Sequence, residues 1–105
     1  MKLRLTKRAL REFDQAVDWF RTKRPWLVDR FLDDIRAAFD QISRTPQKLP
    51  RVEVKVGNTK REWRRRLLKR FSYIVVFFIS NDTVVVCTVS HTSRDWTSQL
   101  TDREE

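Results

Sequence analysis

Apolar positions recur along the chain with two different periods, and the changes of period mark out its elements. Lys2 to Thr6 alternates charged and apolar residues, the pattern of a short strand with one buried face. Thr6 stands where an N-cap belongs. From Lys7 the spacing lengthens: Leu10, Phe13, Val17 and Phe20 recur at three- and four-residue steps, and Ala9 and Ala16 widen the stripe. Arg8, Arg11, Asp14, Gln15 and Asp18 fall on the opposite face. Thr22-Lys23-Arg24 interrupts the pattern, and Pro25 is placed for the first turn of a second helix. There Val28, Phe31, Leu32, Ile35, Ala38, Phe39 and Ile42 form another stripe, which has to end before Pro46. Two amphipathic helices separated by so few residues pack as an antiparallel hairpin, and their joint apolar face needs a surface to cover.

That surface comes from the second half. Tyr73 to Ile79 and Thr83 to Val89 are β-branched and aromatic runs, joined by a Ser80-Asn81-Asp82 loop, and they predict a hairpin of two strands. The runs are almost continuously apolar, so both strands should be central and covered on at least one face. Upstream, the Trp63 to Arg70 stretch supplies a third strand. Its alternation puts Arg64, Arg66, Leu68 and Arg70 on one face and Arg65, Leu67 and Lys69 on the other, which leaves open which face meets water. Pro46 to Asn58 has two readings. Val52, Val54 and Val56 alternate with Arg51, Glu53 and Lys55 as in a short edge strand, yet Pro50 and Gly57-Asn58 equally bound an extended loop.

The predicted order is strand, helix, helix, strand, strand, strand. This is an α+β fold: an N-terminal strand, then an antiparallel helical hairpin packed on one face of a small antiparallel sheet. The later strands form a meander, and the first strand pairs with one of its members. No internal repeat interrupts the pattern, so residues 1–105 are expected to form one domain with frayed last residues.

Composition changes the picture at one point. The chain carries 23 Lys and Arg against 14 Asp and Glu, a net charge of +9 and an isoelectric point near 10.6. Lys60, Arg61, Arg64, Arg65, Arg66, Lys69 and Arg70 face only Glu62, so this single stretch supplies six of the nine net charges. Cations at that density repel one another unless something anionic lies near, which implies an acidic partner, either nucleic acid or protein. A solvated edge strand kept from aggregating by its charges is the plainer account. No apolar run is long enough for a membrane span and the start lacks a signal-peptide core, so a cytoplasmic protein is expected. Cys87 reads as a small buried hydrophobe.

The chemistry available is sparse. His91, the only histidine, stands at the end of a strand with Arg94 and Trp96 close behind it, which would cluster them at one end of the sheet. A lone histidine is more often structural than catalytic. One histidine and one distant cysteine do not make a metal site, and no cofactor is expected. Of Trp19, Trp26, Trp63 and Trp96, most are accounted for by packing, with Trp26 and Trp96 the candidates for partial exposure toward a partner.

These residues together carry a resemblance. Arg65-Arg66-Leu67-Leu68-Lys69-Arg70-Phe71, Tyr73, two apolar strands around a polar break, then His91, Arg94 and Trp96 resemble the C-terminal half of the ParE/RelE toxins of type II toxin-antitoxin (plasmid stabilisation) modules. The match is closer to the ParE type, with Ser72 where proline is usual and Phe77 where tyrosine is usual. The resemblance implies a growth-inhibiting toxin held inactive by a cognate acidic antitoxin that folds as it binds. It implies a ParE-like target, DNA gyrase poisoned by protein contact, with Arg64, Arg65, Arg66, Lys69, Arg70, His91, Arg94 and Trp96 meeting target or antitoxin. A RelE-like alternative would cut mRNA on the ribosome without metal, with Arg66, His91 and Arg94 as base and charge stabilisers. Two RelE features are missing: Ile74 follows Tyr73 where arginine is common, and no tyrosine follows His91. The remaining alternatives are a non-toxic basic nucleic-acid-binding module, which would need exposed stacking aromatics on the sheet, and a structural adaptor.

Overall fold

In the computed structural model, which describes residues 1–52 and 61–100, strand β1 (Lys2–Leu5) leads through Thr6 into helix α1 (Lys7–Lys23). Thr6 is the N-cap: its backbone is extended and its Oγ1 accepts the Ala9 N–H at 3.1 Å. Ala9, Ala16, Val17 and Phe20 bury the inner face of α1, with Phe13 half-buried beside them. Leu10 does not belong to this face and is 51% exposed. Glu12 takes the inward position instead, because hydrogen-bond donors and not apolar surface meet α1 there. Pro25–Leu27 forms a single 3-10 turn, and helix α2 (Val28–Arg44) follows and ends two residues before Pro46. Phe31, Ile35, Ala38 and Ile42 are buried along it, as their spacing predicts.

The sheet contains β2 (Arg64–Leu67), β3 (Tyr73–Ser80) and β4 (Thr83–His91) in the spatial order β1-β4-β3-β2. The meander is antiparallel, but β1 runs parallel to β4, so the sheet is mixed and not wholly antiparallel. Two reversals return β4 to the direction of β2, and β1 joins it on that heading. Asn81 and Asp82 both have positive φ, 48° and 63°, so the hairpin turns on two residues and Ser80 pairs with Thr83 within the ladder. Asn and Asp tolerate that region better than other non-glycine residues.

A bulge at Cys87 shifts the register between Val76 and Phe77. On either side of it Val84, Val86 and Val89 meet the helices, as do Val75 and Phe77 of β3. The opposite face is also covered: Trp63, Ile74, Val76, Phe78, Val85, Cys87 and Leu100 form a second core with Val52 and Trp96 against it. Continuous apolar runs follow from this double burial. Strand-like pairing begins at 50–52, where Arg51 bridges Arg64 and the Val52 N–H donates to the Trp63 carbonyl at 2.9 Å. Val54 and Val56, on which the edge-strand reading turned, lie outside the described residues.

Candidate partner-binding site

One pole of the molecule collects the groups that chemistry or recognition would use. Tyr73 opens β3 opposite His91, which closes β4. The last turns of α1 bring Trp19 and Phe20 to the same end, and the helical hairpin's tip brings Arg24, Leu27 and Arg30. The turn between β2 and β3 adds Arg70 and Phe71. Asp34 of α2 holds that turn by accepting the Arg70 N–H at 2.9 Å, and the Leu68 N–H closes it on the Tyr73 carbonyl at 3.0 Å.

These residues line a cleft of about 480 Å³ that contains no carboxylate among its lining residues. Its floor is aromatic. Phe31, buried beneath, lies 4.6 Å from Phe20, 5.4 Å from Phe71 and 5.1 Å from Tyr73, and Phe20 meets Phe71 edge-on at 5.3 Å. Such offset and edge-on packing is the arrangement ring quadrupoles favour. The rim is cationic, from Arg24, Arg30 and Arg70.

His91 stands edge-to-face on Tyr73 at 5.4 Å. The Ser93 N–H donates to its Nδ1 at 3.1 Å, with the Ser93 hydroxyl 2.7 Å from the same nitrogen. A backbone donor at Nδ1 leaves the proton of the neutral ring on Nε2. Burial pushes the Tyr73 phenol above its usual range, and the positive charge of Arg94 partly offsets this. Beside the cleft, Arg94, Trp19, Tyr73 and His91 share a smaller depression of about 230 Å³ with Glu12 and Gln15.

The basic tract divides. Arg64 is drawn inward: its side chain, 13% exposed, donates to the Leu49 carbonyl at 2.6 Å and pairs with Glu62 at 3.3 Å. Arg66 donates to Gln41 Oε1 at 2.7 Å and to the Leu67 carbonyl. Both therefore fasten β2 to the segments beside it, and Leu68 is buried on the same side. Arg65 and Leu67 point to the other face, while Lys69 and Arg70 lie in the turn and not on the strand. Lys69, Arg70 and Arg94 form no ion pair with a described residue. Trp96 rests half-buried on the second core.

The structure thus brings His91, Arg94 and Arg70 to one pole and leaves Arg66 elsewhere. Gln41, which holds Arg66, is eleven residues along α2 from Arg30, roughly 16 Å of helix. Sequence reasoning passed over Trp19, Arg24 and Arg30. In the sequence Trp19 reads as packing, yet it is 50% exposed. Among the described residues, no three His, Cys, Asp or Glu side chains are grouped to hold a metal ion, and no helix is long and apolar enough to cross a membrane.

A profile described as the ParE toxin of the type II toxin-antitoxin system, parDE, matches residues 3–96. The chain belongs to the ParE toxin family. Its fold is that of a chain from the chromosomal ParDE TA system of P. aeruginosa, at a TM-score of 0.69 and 18% sequence identity. The alignment covers 87% of this chain and 95% of that one. No curated relative matches the sequence. As a ParE family member, the protein is a toxin of a type II system, which fits a basic chain with an unpaired cationic pole.

Proposed function

We propose that this ParE family toxin arrests growth by binding DNA gyrase through its cationic pole, without bond-making chemistry of its own, and that a cognate acidic antitoxin neutralises it. At that pole Lys69 and Arg70 on the β2–β3 turn, with His91 and Arg94 at the end of β4, would face the target. The observation that supports contact over catalysis is the position of Arg66. A nuclease built from Arg66, His91 and Arg94 needs all three around one phosphate, and Arg66 is committed to Gln41. His91 also accepts the Ser93 N–H at Nδ1, so in the neutral ring Nε2 carries the proton and has no lone pair with which to act as a base.

Expression in a bacterial host tests the reading. Growth should stop and resume when the antitoxin is co-expressed. Purified toxin should give gyrase-dependent DNA cleavage and leave mRNA on ribosomes intact. Cleavage of ribosome-bound mRNA with no effect on gyrase would replace this reading with the nuclease one.

A further inference from the structure

We propose that the cleft between the helical hairpin's tip and the β2–β3 turn is the antitoxin's anchor point. An acidic segment lays one aromatic or branched aliphatic side chain against Trp19, Phe71 and Tyr73 and sets its carboxylates on Arg24, Arg30 and Arg70. This inference rests on the toxin reading above and assigns a place on the surface to one of its partners.

Charge decides the sign of the occupant. Three guanidinium groups line the cleft and no carboxylate does, so a neutral or basic segment would leave like charges facing one another. Guanidinium forks match carboxylates in planar geometry. The aromatic floor decides the rest, because a purely acidic, solvated strand would leave those rings wet. The cleft volume of about 480 Å³ lies within the range of pockets that enclose one anchoring group.

Exposure decides which partner. Trp19 is 50% and Trp26 68% exposed, and Arg24, which lines the cleft, lies 5.8 Å over the Trp26 ring. Large rings open to solvent are an aggregation hazard in a protein kept folded for long periods. The antitoxin is present throughout that stored state, whereas the target meets only released toxin. The cleft also shares Arg70 and His91 with the face proposed for the target. One segment in it would cover the rings and mask those cations together, which is neutralisation by occlusion.

The test uses Arg24→Glu with Arg30→Glu in the full chain, both positions exposed and neither among the residues named above as facing the target. Cells expressing this variant should stop growing and should no longer be rescued by the antitoxin encoded beside the toxin. Calorimetric titration with purified antitoxin should show affinity weaker by roughly tenfold or more, with less dependence on salt. Misfolding cannot imitate that result, since an unfolded toxin is harmless. Undiminished rescue and affinity would overturn the proposal. Loss of arrest with antitoxin affinity intact would overturn it too, and give the cleft to the target. Should the double variant lose both, Arg30→Gln decides: a fall in affinity with an unchanged melting temperature supports the anchor, and affinity within about twofold of the parent refutes it. If the parent protein does not arrest growth, the toxin reading fails, while the titration still reports on the cleft.

Discussion

Glu12→Ala should destabilise the fold far more than a substitution on the outer side of a helix normally does. The Glu12 carboxylate accepts from Thr88 Oγ1 at 2.9 Å, from Ser90 Oγ at 3.0 Å and, more weakly, from the Val89 N–H at 3.4 Å. It lies where β1 has ended, since β1 pairs only with Thr83 to Val86 and, among the described residues, no other strand borders the outer edge of β4 beyond that point. Thr88 is 0% and Ser90 2% exposed beneath the carboxylate, so its loss costs them their acceptor, and water entering from the depression that Glu12 lines offsets only part of that. The two hydroxyls lie 2.5 Å apart, so after truncation one still serves the other. One hydroxyl and the Val89 N–H are then left without a partner. A buried unpaired donor costs about 1–3 kcal/mol, and the carboxylate is itself half-exposed and partly screened, which gives a net loss of about 2–4 kcal/mol. Urea unfolding measures this directly, as a lower midpoint at unchanged slope. Glu12→Gln keeps one acceptor oxygen and should lose about half as much. A loss below about 0.5 kcal/mol for the alanine variant, the usual range for surface changes, would show that the edge does not depend on Glu12.

Three further outcomes are expected. Arg64→Ala should cost about 1–3 kcal/mol by orphaning the Leu49 carbonyl, while Arg65→Ala, on the opposite face of the same strand, should stay within about 0.5 kcal/mol in the same urea assay. Tyr73 is the only tyrosine, so phenolate absorbance reports it alone: its midpoint should lie above 10, and Arg94→Ala should move it higher by removing the offsetting charge. Because the raised value belongs to the folded state, Tyr73 makes no stability difference below pH 10, and stability should fall as pH rises from there toward the folded midpoint. Asn81→Val should destabilise by about 1–2 kcal/mol because φ is 48° there, whereas Asn81→Gly should be nearly neutral; equal losses would show that the turn conformation is not what Asn81 provides.

Periodicity reported the elements well because burial sets it. The stripe from Phe31 to Ile42 and the runs at Tyr73 to Ile79 and Thr83 to Val89 became buried structure, and Thr6 caps α1 where it was expected. Leu10 failed because a helical stripe gives direction but not width, and at the rim of α1 the neighbour is a hydrogen-bonding edge. Glu12 is the complement of that error: a carboxylate in line with Ala9 and Ala16 reads as solvent-facing until Thr88 and Ser90 are folded opposite it. The basic tract was legible as charge but not as geometry, since alternation cannot say that Arg64 and Arg66 turn toward Leu49 and Gln41. The aromatic cleft was the least legible feature. Trp19, Arg24, Arg70 and His91 come from four separate segments, and only the antiparallel return of hairpin and meander joins them.

Counting charge by element shows why the pole carries the surplus. α1 and α2 together hold eight cations and seven carboxylates, and the pairs Arg21–Asp18, Arg36–Asp33 and Arg44–Asp40 set opposite signs beside each other along their exposed faces. Pairs so exposed add little stability, but they leave the helical layer almost neutral. Glu62 lies against both Arg51 and Arg64 and so damps the start of β2 as well. At the pole Lys69, Arg70 and Arg94 have no ion-pair partner among the described residues, and Arg24 and Arg30 lie across the cleft from the turn. The Debye length is roughly 8 Å at physiological ionic strength, so the fields of the three guanidinium groups that line one cleft are screened less from a ligand in it than those of charges scattered over the surface. Association with an acidic partner at this pole should therefore slow steeply as salt is raised, while folding stability, which draws on the two apolar cores, should scarcely change. Stopped-flow association rates and thermal melts over the same salt series separate the two; rates independent of salt would mean that the pole does not steer its partner.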